Sequence, residues 1–211
     1  MKLYLFPPSP NAYKIQAVVN ELGLTIATET VDLLNGQQRA PNYAALNPNL
    51  MMPTLVDGDF VLWESNAIMQ YLCSRAPGQT LWPSEPRDQA DVSRWQCWQL
   101  AHWMPPCGTY LWENMVKAMM ADHGAPDTAA LAQADERFHR FAPVLNQQLK
   151  GKTWLVGNSV TLADFAIGAP LHYADAAKIP LAQYPEIQRW YAGLAERPSW
   201  RKAIPQFGIK R

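Results

Sequence analysis

The stretch from Asn49 to Leu72 constrains the fold of this chain more than any other segment. Two short apolar runs, Thr54–Val56 and Phe60–Trp63, flank the turn sequence Asp57-Gly58-Asp59. An Asp-Gly pair between apolar runs is typical of a tight β-hairpin, because glycine adopts the positive φ that such a turn requires. A helix is predicted to follow, from Ser65 to about Arg75. The segment therefore predicts a strand pair that leads directly into a helix.

Two features of this stretch are suited to binding a peptide-like ligand. Pro53 directly precedes the first strand, and bonds that precede proline are where cis peptides occur. A cis bond at Met52-Pro53 leaves the backbone N–H and C=O of Met52 free to pair with something other than the sheet. Ser65 is predicted to be the helix N-cap, and the helix N-terminus behind it offers unpaired N–H groups and positive dipole to a carboxylate.

The residues before this stretch predict the other half of a small α/β domain. Residues 2–6 are apolar and predict a buried strand, and Thr25–Leu33 predicts a second strand. Between them, Ser9-Pro10 predicts a helix start, with serine at the N-cap and proline at the first helical position. A strand-helix-strand order favours a right-handed parallel unit. With the hairpin, residues 1–77 are predicted to form a mixed four-stranded sheet with helices on both faces, a thioredoxin-like arrangement.

The second half of the chain shows only helical patterning. Residues 78–86 form a proline-rich connector, and residues 87–211 are predicted to be an all-α domain. The run Pro105-Pro106-Cys107-Gly108 is predicted to interrupt a helix as a kink or a loop, because an internal proline removes a hydrogen-bond donor. Thr161-Leu-Ala-Asp164 is the clearest helix start, since threonine can cap the helix and the aspartate completes a capping box.

Charge and cysteine content exclude several classes of function. The chain has 18 Lys and Arg against 18 Asp and Glu, and a net charge of zero argues against a nucleic-acid or anionic-membrane surface. Its three cysteines show no CxxC motif and no metal-ligand spacing, which indicates a reducing compartment and no metal site. The sequence has neither a signal-peptide apolar region nor a run long enough to span a membrane. These observations predict a cytoplasmic protein.

The predicted α/β domain, connector and helical domain together resemble the glutathione S-transferase family over essentially the full chain. The motifs that carry the resemblance are Ser9-Pro10-Asn11, Leu46-Asn47-Pro48, Met52-Pro53-Thr54-Leu55, Glu64-Ser65-Asn66-Ala67-Ile68 with Tyr71-Leu72, and Val160-Thr161-Leu162-Ala163-Asp164. They look most similar to the serine-type, bacterial and theta/phi-like branches. The resemblance implies a thioredoxin-like N-terminal domain and an all-α C-terminal domain.

The resemblance also implies a binding site for glutathione. The backbone of Met52, next to a cis Pro53, pairs with the cysteinyl part of the tripeptide. Glu64 binds the ammonium of the γ-glutamyl end, and Ser65 binds its carboxylate.

At the glycyl end of glutathione, family members place residues where this chain has Gln38 and Arg39. Both can equally be solvated loop residues. The chain departs from the family at Met51, where many members have a polar lysine or glutamine, so one contact with the glycyl end is missing here.

The thiol of glutathione is expected over the N-terminus of the first helix. Ser9 is the first candidate for the hydroxyl that stabilises the thiolate, Asn11 is the alternative donor, and Ser9 could also act only as an N-cap. The absence of a cysteine at or near Ser9 argues against the cysteine-type, disulfide-reducing branches. Cys107 could line an apolar cleft or be catalytic, but a small buried thiol is the better interpretation.

The function implied by the resemblance is that of a glutathione transferase in detoxification. Glutathione is the co-substrate, its thiolate attacks a small apolar electrophile, no metal takes part, and the protein is a homodimer. Three alternatives stay open: a glutathione-dependent reductase or peroxidase, an isomerase or other specialised enzyme that uses Asn11, and a non-enzymatic glutathione-binding or regulatory protein of the same fold.

Overall fold

The computed structural model describes residues 1–120 and 123–203, which form two compact units. Of the described residues, the first unit contains 1–79 and 197–203, and the second contains 80–120 and 123–196. The predicted helical domain of residues 87–211 differs from this division at its C-terminal end. That segment groups with the first unit because the ring of Trp200 packs edge-on against Tyr13, whose hydroxyl donates to the Trp200 C=O at 2.8 Å.

The first unit is a mixed four-stranded sheet with flanking helices. Its elements are β1 Lys2–Leu5, α1 Pro10–Glu21, β2 Ala27–Thr30, a 3₁₀ turn Gln37–Arg39, α2 Pro41–Ala44, β3 Thr54–Asp57, β4 Phe60–Trp63 and α3 Ser65–Ser74, and α11 Pro198–Lys202 near the C-terminus. The strand order is β2-β1-β3-β4, with β1 parallel to β2 and antiparallel to β3, and with β3 and β4 joined as a hairpin. The predicted thioredoxin-like fold is confirmed.

Helix α1 begins as the sequence predicts. The Ser9 side chain accepts a hydrogen bond from the Asn11 backbone N–H at 3.3 Å, and Pro10 occupies the first helical position. The helix buries Ile15 and Val18, and it packs against α3 and α11. Local capping therefore fixes where the helix starts, and its apolar stripe fixes which face it buries.

All regular secondary structure in the described part of the second unit is helical. Its elements are α4 Pro86–Trp98, a π-helical turn Gln99–Trp103, α5 Met104–Leu111, a second π-helical turn Trp112–Val116, α6 Lys117–Met119, α7 Thr128–Gln148, α8 Leu162–Gly168, a 3₁₀ turn Ala169–Tyr173, α9 Ala174–Ala177 and α10 Pro185–Ala195. Of the two predicted alternatives at residues 105–108, a kink or a loop, the loop is wrong, because helical structure runs through Pro105 and Pro106. Both prolines lie in the first turn of α5, directly after the wider π turn, where missing N–H donors disturb the helix least.

The carboxylate of Asp164 connects three segments of the second unit. It is fully buried and accepts hydrogen bonds from the backbone N–H of Thr161 at 2.9 Å, that of Leu155 at 3.0 Å and the indole Nε1 of Trp190 at 2.8 Å. Burial raises the pKa of this carboxyl, while the same hydrogen bonds act in the opposite direction. The predicted capping box at the start of α8 is confirmed, and it also ties α10 and the loop at Leu155 to that helix start.

We predict that Asp164→Ala lowers the free energy of unfolding by about 3 kcal/mol or more, because it leaves several buried donors without an acceptor. The control is Asp175→Ala, since Asp175 is exposed on α9, and we expect a change within about 0.5 kcal/mol. Urea unfolding followed by circular dichroism measures both variants. Equal effects of the two substitutions would contradict the role of Asp164.

Candidate active site

Three of the residues predicted for the site lie together where the N-termini of α1 and α3 meet. The hydroxyl of Ser65 donates to the side-chain Oδ1 of Asn11 at 3.3 Å, and the backbone N–H of Asn11 donates to Ser9 Oγ at 3.3 Å. Because Oδ1 of Asn11 accepts this bond, its Nδ2 group is the side-chain donor that remains for a ligand. In the part of the chain that the structure describes, the Ser9 hydroxyl donates no hydrogen bond, so its hydrogen is also available to a ligand.

The start of α3 differs from the prediction in one respect. Glu64, not Ser65, occupies the N-cap position, and its side chain makes no capping hydrogen bond. Ser65 is the first residue of the helix, and its hydroxyl turns toward Asn11 rather than back to the helix. The prediction of Ser65 as the N-cap is therefore wrong. The Glu64 side chain does not cap the first turn of α3, so this helix start is suited to a bound anion.

The backbone of Glu64 is held in a conformation that non-glycine residues rarely adopt. Its φ is 71° and its ψ is 109°, and such backbone angles are energetically costly for a residue with a Cβ atom. The carboxylate is exposed and forms no hydrogen bond or ion pair within residues 1–120 and 123–203. This backbone conformation places the exposed Glu64 carboxylate at the start of α3.

The peptide bond between Met52 and Pro53 is cis, as the sequence predicts. Strand β3 begins at Thr54, one residue beyond the proline. In the part of the chain that the structure describes, the backbone N–H and C=O of Met52 have no hydrogen-bond partner. This segment therefore offers the unpaired backbone edge that an extended peptide can use.

A hydrogen-bond network that the sequence analysis did not identify anchors the segment before the cis bond. The C=O of Met51 accepts from the Tyr43 hydroxyl at 2.6 Å and from Asn47 Nδ2 at 2.9 Å. Thr54 Oγ1 lies 2.7 Å from the same tyrosine oxygen and 3.1 Å from the same amide nitrogen. Asn47 and Thr54 are both buried, so the network fixes the backbone on either side of Met52. The motif Leu46-Asn47-Pro48 was the sequence signal for it.

A second feature that the sequence analysis missed is a buried lysine under the helix ends. Lys14 on α1 has no exposed surface, and its Nζ donates to Asn66 Oδ1 at 2.7 Å. Burial lowers the pKa of Lys14 to about 7, and the field of Glu64 acts in the opposite direction. The signal available in the sequence was its position, because Lys14 lies one helical turn before the buried Val18.

Gln38 and Arg39 lie on the 3₁₀ turn that precedes α2. Arg39 is exposed, whereas Oε1 of Gln38 is buried and has no partner among the described residues. Within the same residues, no hydrogen bond links either side chain to Ser9, Asn11 or Ser65. The structure thus joins three of the predicted residues to one another and leaves these two apart from them.

The cysteines of the described residues are all free, and two of the three are buried. Burial raises the pKa of the Cys107 thiol, which keeps it protonated and makes it a poor nucleophile. The described part of the chain contains no group of three His, Cys, Asp or Glu residues that could hold a metal ion. It also contains no helix that is both long enough and apolar enough to cross a membrane.

The second unit has an apolar cavity of about 460 Å³. Its lining consists of Leu100, Met104, Pro105, Gly108, Thr109, Trp112, Glu113 and Ala130. Glu113 is buried, and the Lys117 ammonium 2.6 Å away holds the pKa of its carboxyl below the usual range, with help from the Asp127 N–H. The cavity can therefore take an apolar ligand without confronting an unpaired charge.

Comparison with known proteins gives consistent results across the chain. Residues 1–74 match the family model "Glutathione S-transferase, N-terminal domain", and residues 104–198 match "Glutathione S-transferase, C-terminal domain". Glutathione S-transferase 3 of Zea mays is 33% identical over 210 residues, which cover 97% of this chain and 93% of the maize protein.

Two further similarities are informative. The disulfide-bond oxidoreductase YfcG of Escherichia coli K12 is 31% identical over 219 residues, covering 98% of this chain and 96% of that protein. The crystal structure of a glutathione S-transferase from Pseudomonas fluorescens Pf-5 superimposes with a TM-score of 0.84. It is 31% identical and covers 94% of this chain and 96% of that one.

The backbone strain at Glu64 leads to a stability prediction. Glu64→Gly is expected to raise the free energy of unfolding by about 1 kcal/mol, because glycine adopts a positive φ without a steric penalty. Glu64→Gln keeps the strain and removes only the charge, so it should change stability by less than about 0.5 kcal/mol. Urea unfolding at about pH 8.5 compares the variants while Lys14 is largely uncharged. A glycine variant that is no more stable than the glutamine variant would refute the strain.

Proposed function

The chain belongs to the glutathione S-transferase family, and from this premise we propose how its first unit binds and activates glutathione. The family identity rests on both family models and on the maize relative, which matches nearly the whole chain. The protein is an enzyme of the transferase class, and glutathione is its co-substrate.

We propose that the start of α3 binds the γ-glutamyl end of glutathione. Ser65 and the N–H groups of the first turn receive its carboxylate, and Glu64 receives its ammonium. The observation that carries the proposal is this helix start, which the Glu64 side chain does not cap, next to an exposed carboxylate that has no ion-pair partner among the described residues. A free amino acid end presents these two charges side by side, and the helix start presents their complements.

Backbone and loop atoms are proposed to bind the rest of glutathione. The N–H and C=O of Met52, beside Pro53, pair with the cysteinyl residue, which is supported by their lack of protein partners among the described residues. Gln38 and Arg39 bind the glycyl end. The buried, unpartnered Oε1 of Gln38 and the exposed guanidinium of Arg39 are compatible with that role.

Activation of the thiol needs only a modest stabilisation of the thiolate. Lowering a thiol pKa from about 8.5 by ~2 units requires roughly 2.7 kcal/mol. One hydroxyl donor to a charged acceptor contributes about 1.5–3 kcal/mol. The N-terminus of α1 adds about 0.3–1 kcal/mol. The hydroxyl of Ser9, which still has its hydrogen to donate, is therefore our first choice for the group that stabilises the thiolate.

Asn11 remains the alternative donor. The Oδ1 atom of Asn11 accepts a hydrogen bond from Ser65, which leaves Nδ2 as the donor available to a ligand. The same bond links Asn11 to the helix start that is proposed to receive the γ-glutamyl carboxylate. The orientation of this amide donor could therefore depend on whether the substrate carboxylate is bound at Ser65. In either case the thiolate sulfur forms a bond to the electrophilic carbon, and the leaving group departs with its electron pair.

The similarity to YfcG supports a second candidate function, the reduction of disulfides. The glutathione thiolate attacks one sulfur of a small disulfide, releases one thiol and forms a mixed disulfide with glutathione. A second glutathione then attacks that mixed disulfide, which yields oxidised glutathione and the other thiol. No protein cysteine is required, and this agrees with a Cys107 thiol that burial keeps protonated.

We also propose that the protein is a cytoplasmic homodimer with a role in detoxification. Free cysteines, of which Cys97 is exposed, are compatible with a reducing compartment. Several large apolar side chains are exposed, among them Met51, Phe60, Trp63, Leu100 and Val144. Exposed apolar surface of this kind favours association.

The dimer is tested by multi-angle light scattering at micromolar concentration. We expect a mass twice that of the 23.8-kDa chain. A monomer mass across the accessible concentration range would refute the homodimer and leave the proposed glutathione site untouched.

The assignment of the thiolate donor is tested with Ser9→Ala and Asn11→Ala in conjugation of an aromatic halide. Loss of the donor should lower kcat/KM by about 10- to 150-fold and raise the pKa of the bound thiol by about 1–2 units. The other variant should change the rate by only a few-fold, and the same pair assayed with a small disulfide tests the second function. If neither substitution changes the rate or the thiol pKa, both assignments are wrong.

A further inference from the structure

Lys14, the buried lysine of α1, has no role in the proposed binding of glutathione. Among the described residues, Nζ of Lys14 makes one hydrogen bond, to Asn66 Oδ1 at 2.7 Å, although the charged form has three hydrogens to donate. Asn66 is the second residue of α3 and directly follows Ser65. Lys14 therefore contacts α3 one residue beyond the serine that is proposed to bind a carboxylate. An apolar side chain would fill the same space without the cost of burying a polar amine.

We propose that Lys14 is a positioning residue of the glutathione site, and that binding of the γ-glutamyl carboxylate at the start of α3 is coupled to uptake of a proton by Lys14. This inference rests on the proposed function. The proton comes from solvent and goes to the amine nitrogen of Lys14, where it completes a buried cation. That cation is held to α3 by Asn66 and offsets the negative charge of the bound carboxylate.

The charged groups around Lys14 are consistent with such a coupling. Helix α1 packs against α3 and α11. On the α3 side, Glu64 is the charged group whose field acts on Lys14. On the α11 side, Arg197 forms an ion pair with Glu21, while Arg201 and Lys202 are exposed. A carboxylate bound at Ser65 would therefore be a second anion on the same side of Lys14 as Glu64.

The sign of the coupling follows from electrostatics. Burial lowers the pKa of Lys14 to about 7, so in the free protein the amine is mostly uncharged just above neutral pH. A nearby anion favours the charged form, so a carboxylate bound at the buried Ser65 raises this pKa and draws in a proton. The ligand's ammonium acts in the opposite direction, but it pairs with the exposed Glu64, where solvent screens its charge. Coupling is reciprocal, so the protonated protein must bind the carboxylate more tightly than the unprotonated one. The affinity therefore falls as the pH rises through about 7 and beyond.

The test is isothermal titration of the full-length protein with S-methylglutathione, which has no ionisable thiol. Titrations at about pH 7.5 in two buffers of different ionisation enthalpy give the number of protons taken up. We expect uptake of a substantial fraction of one proton by the wild type. Its affinity should also fall several-fold between about pH 6.5 and pH 8.5, within the range of about 5- to 150-fold typical of coupled sites.

Lys14→Arg is the matched control, because a guanidinium keeps its charge at every pH used. Its affinity for S-methylglutathione should show only the pH dependence of the ligand's own amine, and the proton uptake assigned to Lys14 should be absent. Lys14→Met should bind more weakly, also without uptake. Protonation of the ligand's own amine persists in both variants and is subtracted by the comparison. A lysine that merely packs the helix interface would leave the proton count of the wild type at the level of the arginine variant.

Wild-type binding without proton uptake overturns this inference, even if neither variant folds, and leaves the proposed function standing. Uptake that is the same in wild type and Lys14→Arg overturns it as well, because the proton then belongs to another group. Failure of the wild type to bind S-methylglutathione overturns both the inference and the proposed function.

Discussion

The first unit depends on two hydrogen bonds that hold the start of α3 against α1. Ser65 bonds to Asn11, and Asn66 accepts a bond from Lys14, so two adjacent residues of one helix are tied to two residues one turn apart on the other. These bonds fix the relative position of two helix N-termini, each of which attracts negative charge. A ligand with a carboxylate at one end and a thiolate further along can therefore meet both.

Several local features of this unit cost stability, and all of them lie around the same place. The start of α3 has no side-chain cap, Glu64 has a positive φ, and Lys14 is buried. Strained or desolvated residues persist where the surrounding structure holds them in position and where function benefits. Here the sheet and the Tyr43–Asn47 network supply the rigid surroundings, because they fix the segment before the cis bond through buried hydrogen bonds.

The sequence predicts those features that depend on a few neighbouring residues. The hairpin turn at Gly58, the cap at Ser9, the capping box at Asp164 and the mixed sheet all follow from local patterns, and the structure contains them. Features set by packing between distant segments cannot be predicted from a few neighbouring residues. The hydroxyl of Ser65 points to Asn11, 54 residues away, instead of capping its own helix, and Lys14 is buried although lysine is normally exposed.

We propose that glutathione lies across the start of α3 and places its sulfur at the start of α1. A crystal structure of the protein with glutathione bound is the decisive test. We expect the γ-glutamyl carboxylate at Ser65, the cysteinyl backbone paired with Met52, and the sulfur within hydrogen-bond distance of Ser9 Oγ or Asn11 Nδ2. Glutathione bound elsewhere, or with its sulfur away from both groups, would refute this binding mode.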